Sequence, residues 1–257
     1  MPTGADTETP ELRALINDFA VRSFRDTADG DYIVARMAHR AGLVPQFLWS
    51  SLQAIEKYLK GILLLNRVPS VKATHGVADL LEKAEAVTKL RLRLSKYSKE
   101  FVSYLDTYGR FRYLEISYHA SGKDLVRLDR AVWEIRRYCA VLDYSRTESG
   151  AVVSMLENEL RLLERAEENP RGFQAFGGYL EKIISDPRHP ARPALLWKNL
   201  LFGPSKRRRI KMSDWYTSVN APLALNPEVF AEVRKYVYLP KPMIEEFERL
   251  LKTNPPQ

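Results

Sequence analysis

The chain has 257 residues, 45% of them hydrophobic and 11% aromatic, enough for a substantial core arranged as one large domain or two small ones. Its 40 Lys and Arg exceed its 32 Asp and Glu, and the net charge of +8 favours anionic partners, nucleic acid foremost. A single cysteine, Cys139, excludes an intrachain disulfide and a cysteine-rich zinc site and suits the reducing cytoplasm, while the longest apolar run, Ile62 to Leu65, is far shorter than the roughly 20 residues of a membrane-spanning helix.

Met1 to Pro10 lack a basic segment followed by an apolar stretch, so no secretory signal is expected there, only a disordered terminus. Four prolines precede Asp143, whereas eleven of the 15 fall from Pro170 onward, so long helices belong to the first half. Glu11 to Phe24 and Asp31 to Ala41 read as helices, the second stopped by Gly42, and Pro45 opens the next. Between Gln46 and Leu65, Leu48, Leu52, Ile55, Leu59 and Ile62 recur at steps of four and three, which predicts one apolar helical stripe. Asn66 to Ala73 read as a loop, and Thr74 as the cap of a short helix carrying Val77, Leu80, Leu81 and Ala84.

A further helix is expected over Val87 to Leu105 and, past Gly109, a helical piece over Arg110 to His119. From Asp124 to Leu142 the stripe Leu125, Leu128, Val132, Ile135, Cys139 and Leu142 predicts another long helix, whose Arg127, Arg130, Arg136 and Arg137 read as a solvated outer face. No strand pattern is assigned in this half. Asp143 to Gly150 is the candidate boundary, followed by an amphipathic helix over Ala151 to Glu168 that Pro170 stops. Shorter helical pieces are expected near Phe173 to Ser185, Ala194 to Leu201, Pro227 to Val237 and Pro242 to Lys252. The fold class is therefore all-α: an antiparallel helical bundle over 11–145, followed by a smaller, Pro-rich, mostly helical region over 150–257 whose role the sequence leaves open.

The segment from Ser51 to Gly61, with Gln53, Glu56, Lys57 and Lys60, followed after a loop by Thr74-His75-Gly76-Val77-Ala78-Asp79-Leu80-Leu81, resembles the second and third helices of the HEPN domain family. The resemblance spans about Phe19 to Asp143. Glu56 and Lys60, one helical turn apart, also form a favourable surface pair in any helix. The resemblance implies metal-independent RNA cleavage by an arginine and a histidine a few residues apart, with two copies joined across a dimer interface. Here those residues are Arg112 and His119, with six residues between them.

On a continuous helix that separation of seven positions would place both side chains on one face, about 10 Å apart along the axis. The resemblance assigns His119 as general base towards a ribose hydroxyl, a task suited to an imidazole, and Arg112 as the phosphate clamp. Glu115 lies where it could orient either one. Tyr113 stands where many catalytic members carry a small polar residue, so a non-catalytic HEPN-like binding or assembly module is the alternative. His39 and His189 read as ordinary surface residues.

Lys206, Arg207, Arg208, Arg209 and Lys211 form the densest charge cluster, closely followed by Trp215 and Tyr216. Cations beside aromatic rings suit single-stranded RNA; the alternative is a solvated basic loop with Trp215 anchored in the core. The expected partners are RNA or a nucleotide and a second copy of the chain, with a protein partner also open and no membrane. No cofactor or metal is expected, since no spacing of His and carboxylates suggests one.

Overall fold

The structure, a computed structural model, describes residues 8–70, 76–109, 116–168, 177–203, 209–211, 214–239, 241, 244–245 and 247–249. It is dominated by helices, with two small two-stranded sheets. Thr9 caps α1 (Pro10–Phe19) through its hydroxyl, which accepts from the Leu12 amide. Where two separate helices are expected, α1 runs on without a break through a π-helical segment, Ala20–Asp26, into α2 (Thr27–Arg40). The wider π turn keeps the backbone helical while altering which side chains face the bundle.

Gly42, at φ +73°, ends this run as the sequence predicts, and Pro45 lies in the first turn of α3 (Val44–Leu65). All five members of the predicted α3 stripe are buried. The α4 helix (Val77–Glu85) buries Val77, Leu80, Leu81 and Ala84, and the Asp106 carboxylate accepts its first amide, from Val77, at 2.8 Å. The predicted capping residue, Thr74, lies outside the described residues.

The single helix expected over Val87 to Leu105 is instead a 3₁₀ turn (Thr88–Leu90), an extended stretch and α5 (Lys96–Tyr108). Leu90, Leu92 and Leu94 are buried while Arg91 and Arg93 face outward, a two-residue period that no helix accommodates. Ser95 then starts α5 by capping Ser98. The expected helix over Arg110 to His119 is also corrected. Residues 110–115 lie outside the described residues, and Tyr118–Ser121 form strand β1 immediately before α6 (Asp124–Arg136).

The boundary region folds as an antiparallel hairpin, β2 (Ser145–Glu148) and β3 (Ala151–Ser154), so the helix expected from Ala151 begins only at α7 (Leu156–Glu168). Further on, α8 (Tyr179–Ser185) and α9 (Arg192–Leu196) are shorter than expected. An unexpected strand, β4 (Tyr216–Val219), precedes α10 (Pro222–Leu225), a 3₁₀ turn at Pro227–Val229 and α11 (Phe230–Val233). Leu160, Leu163, Leu180, Ile183, Leu195 and Phe202 join the same hydrophobic cluster as the bundle, whereas Leu223, Phe230, Leu239 and Phe247 form a separate small cluster.

The solvated face expected on α6 is overturned at Arg136 and Arg137, both buried. Arg136 donates to both oxygens of Asp29, at 2.6 and 2.8 Å, and to both of Glu181, at 2.8 Å each. Asp29 also accepts from the Tyr58 hydroxyl at 2.5 Å and the Leu180 amide at 3.3 Å. Burial works against the charge on Arg136, yet the two carboxylates raise its pKa well above the ordinary value. A Cβ at residue 178 would stand 2.7 Å from Arg136 Nη2 and from Glu181 Oε2, which explains the glycine there. Arg137 stacks on Trp133, 4.4 Å from the ring centroid, and donates to the Leu163 carbonyl.

A second buried pair reverses the roles: Arg36 of α2 donates to Asp129 of α6, and also to the carbonyls of Ala194 and Trp197. Tyr32 donates to the same carboxylate at 2.7 Å and accepts from Asn199 at 3.0 Å. Burial pushes the Asp129 carboxyl up, opposed by Arg36, and that carboxylate keeps Arg36 charged against its own burial.

Removing one partner of a buried pair leaves the other charge uncompensated. Arg136→Ala is therefore expected to lower the unfolding free energy by about 3–5 kcal/mol in urea denaturation. Arg146→Ala, at the exposed pair with Glu148, should change it by less than about 1 kcal/mol. Equal losses would deny Arg136 its structural role.

Candidate functional site

The short β1 strand pairs antiparallel with β4, with His119 opposite Ser218 and Ser121 opposite Tyr216. Period-two alternation turns Ala120 into the core and His119 outward. Tyr216 is the diagonal neighbour of His119 on that outer face, and the two rings stack with centroids 6.0 Å apart and planes inclined by 25°. Tyr216 is 69% exposed. From α5, Tyr104 and Tyr108 approach the imidazole at centroid distances of 5.6 and 5.8 Å, and the Tyr104 hydroxyl donates to the His119 carbonyl. Burial, with Asp124 and Tyr108 adding to it, raises the pKa of Tyr104, so this phenol stays a donor. The exposed imidazole therefore sits in a cage of three tyrosines, two from α5 and one from the carboxy-terminal region.

The helical relation expected between Arg112 and His119 is replaced, because His119 lies on a strand. Arg112, Tyr113 and Glu115 lie outside the described residues, as do His75 and three members of the basic cluster, Lys206, Arg207 and Arg208. Arg209 and Lys211 are exposed. Trp215 is half-buried with its ring 5.5 Å from that of His39, so the ring offered to solvent here is its neighbour Tyr216.

His39, expected at the surface, is buried between Phe47 and Trp215, and its Nε2 lies 3.4 Å from the Ser121 carbonyl at the end of β1. The half-buried His189 accepts the Ala191 amide on Nδ1 at 3.1 Å, a local turn contact. On α3, Glu56 pairs with Lys60 at 2.5 Å and Lys57 reaches Asp31 of α2 at 2.6 Å. Cys139 is a core residue whose thiol burial pushes up to about 12. Among the described residues no three His, Cys, Asp or Glu side chains are grouped to hold a metal, and no helix is long and apolar enough to cross a membrane.

The architecture is that of an all-α bundle whose exposed histidine is displayed on the strand that connects α5 to α6. Set against known families, residues 21–142, in the amino-terminal half of the chain, match the HEPN domain. No curated protein and no solved structure matches the chain.

Sequence reasoning missed the tyrosine cage, although Tyr97, Phe101, Tyr104 and Tyr108 recur at steps of four, three and four, the signature of one aromatic helical stripe. It also missed His39, whose pKa is lowered, chiefly by burial, below the ordinary 6.5. As pH falls through that value the unfolded chain takes up the proton first, so stability present at neutral pH is lost on acidification. Thermal unfolding should show a melting temperature that drops from about pH 7.5 to about pH 5.5, with a shallower drop in His39→Phe. An unchanged slope in that variant would assign the loss to other groups.

Proposed function

We propose that this HEPN protein engages single-stranded RNA at the tyrosine-caged surface and cleaves it without a metal, with His119 as the acid–base group and two copies forming the complete site. The observation that carries this reading is the placement of His119. Its imidazole is exposed on a strand that hydrogen bonding and three rings hold in place, beside a tyrosine face open to solvent.

In this mechanism an unpaired base stacks on Tyr216, which brings its ribose to His119. His119 removes the 2′-hydroxyl proton, and the oxygen attacks the adjacent phosphorus as the bond to the 5′-oxygen of the next nucleotide breaks. A protonated imidazole, from the second copy, supplies the proton that the leaving oxygen takes. Arg112 is assigned to the charge that develops on the phosphoryl oxygens. The products are a 2′,3′-cyclic phosphate and a 5′-hydroxyl end.

Purified protein incubated with mixed single-stranded and structured RNA in the presence of chelator should cleave the single-stranded substrate. His119→Ala, matched for folding by circular dichroism, should lose at least about 100-fold in rate, the lower range for a general acid–base group. Binding without cleavage by the wild type would establish the non-catalytic module instead. Cleavage that survives in His119→Ala would remove His119 from the chemistry.

A further inference from the structure

The aromatic stripe of α5 leads away from His119 towards a cleft lined by Tyr97 and by Val126, Asp129 and Arg130 of α6. Tyr108 and Tyr104 flank His119 at one end, and Tyr97, 40% exposed, lies eleven positions earlier, about 16 Å along the helix axis. Arg127 of α6 bridges the interval, its guanidinium 5.5 Å from the Tyr97 centroid and 5.8 Å from that of Phe101.

Beyond Tyr97 opens a cleft of about 410 Å³, within the range of small-ligand sites. Leu200, Leu201 and Ile210 give it an apolar wall, and Arg130 and Lys198 stand at its edge. Arg209 and Lys211 flank Ile210 and are exposed, so the cations here outnumber the neighbouring carboxylates Asp124, Asp129 and Glu134. Asp124 pairs with Arg127, Asp129 with Arg36 and Glu134 with Arg130. Lys198 holds a left-handed backbone (φ +51°), with its ammonium 4.9 Å from the Trp197 ring centroid.

An apolar floor, an exposed tyrosine and a cationic rim fit a planar group carrying negative charge. Contacts run from Tyr97 through Arg127 and the buried Phe101 to Tyr104 and His119, and the roughly 16 Å of helix between Tyr97 and Tyr108 corresponds to a few nucleotides of extended strand. We infer that the cleft is a second subsite for the same single-stranded RNA, taking a base against Tyr97 and its phosphate among Arg130 and Lys198. This inference rests on the reading of the His119 surface as RNA-engaging. It makes the carboxy-terminal region a reader of strand length, since Lys198 and Ile210 both lie beyond the HEPN domain.

The test uses fluorescence anisotropy with 2′-O-methyl oligonucleotides, which lack the attacking hydroxyl and so report binding alone, in lengths of two, four, six and eight residues. Affinity should rise with length and then level off once the strand spans both subsites. Lys198→Glu and Tyr97→Leu, each matched to wild type in melting temperature, should weaken the longer oligonucleotides on the order of tenfold and leave the dinucleotide unchanged. Lys198→Glu should also flatten the salt dependence for the longer strands. Length-independent binding that ignores both variants but falls in Tyr216→Ala would overturn the second subsite while leaving the RNA reading intact. No binding at any length would remove the RNA reading and the subsite with it.

Discussion

Two buried ion pairs between α2 and α6 hold the rest of the structure in place. Each helix carries an aspartate seven residues before an arginine, Asp29 and Arg36 on α2, Asp129 and Arg136 on α6. Set antiparallel, the helices satisfy both pairs at once; set parallel, aspartate would face aspartate and arginine arginine, with four charges buried uncompensated. Hydrophobic stripes alone do not distinguish these orientations, because Leu and Ile pack as well one way as the other. The charges therefore contribute less to raw stability than to uniqueness: they select one arrangement from several of similar apolar burial.

That selection fixes the functional surface. The β1 strand ends only a few residues before α6 starts, and Asp124 ties the junction by accepting the Ser121 amide at 2.6 Å. With α6 locked against α2, β1 has little freedom, and β4 docks on it through the Trp215–His39 contact and the Gly122 amide to the Trp215 carbonyl. The caged imidazole is thus built from the neighbouring α5 and β1 and the distant β4, on a frame set by the two pairs.

Much of the helical frame was legible because burial repeats along the sequence. The α3 and α6 stripes, the Gly42 stop and the Pro45 start all follow from rules that act within a few residues. What was not legible depends on distant partners. Arg136 and Arg137 look like surface residues until Asp29, Glu181 and the Leu163 carbonyl surround them. The strands β1 and β4 are four residues each and gain their stability from one another across about 100 positions of sequence, so neither announces itself locally. The alternation of leucine and arginine from Leu90 to Leu94 is a local signal of extended chain, too short to stand out beside the helical residues that follow it.

The buried guanidiniums have a consequence for the order in which the molecule is made. Arg36 and Arg136 belong to the bundle, but the groups that complete their hydrogen bonding, the Ala194 and Trp197 carbonyls and the Glu181 carboxylate, come from later in the chain. During synthesis from the amino terminus, every apolar stripe of the bundle emerges before any of these acceptors. Within the bundle each guanidinium already meets a carboxylate, Asp129 for Arg36 and Asp29 for Arg136, and only its remaining N–H donors depend on the later segment. The bundle without residues 179–197 would therefore keep its ion pairs but leave buried guanidinium donors without their acceptors, each loss costing about 1–3 kcal/mol.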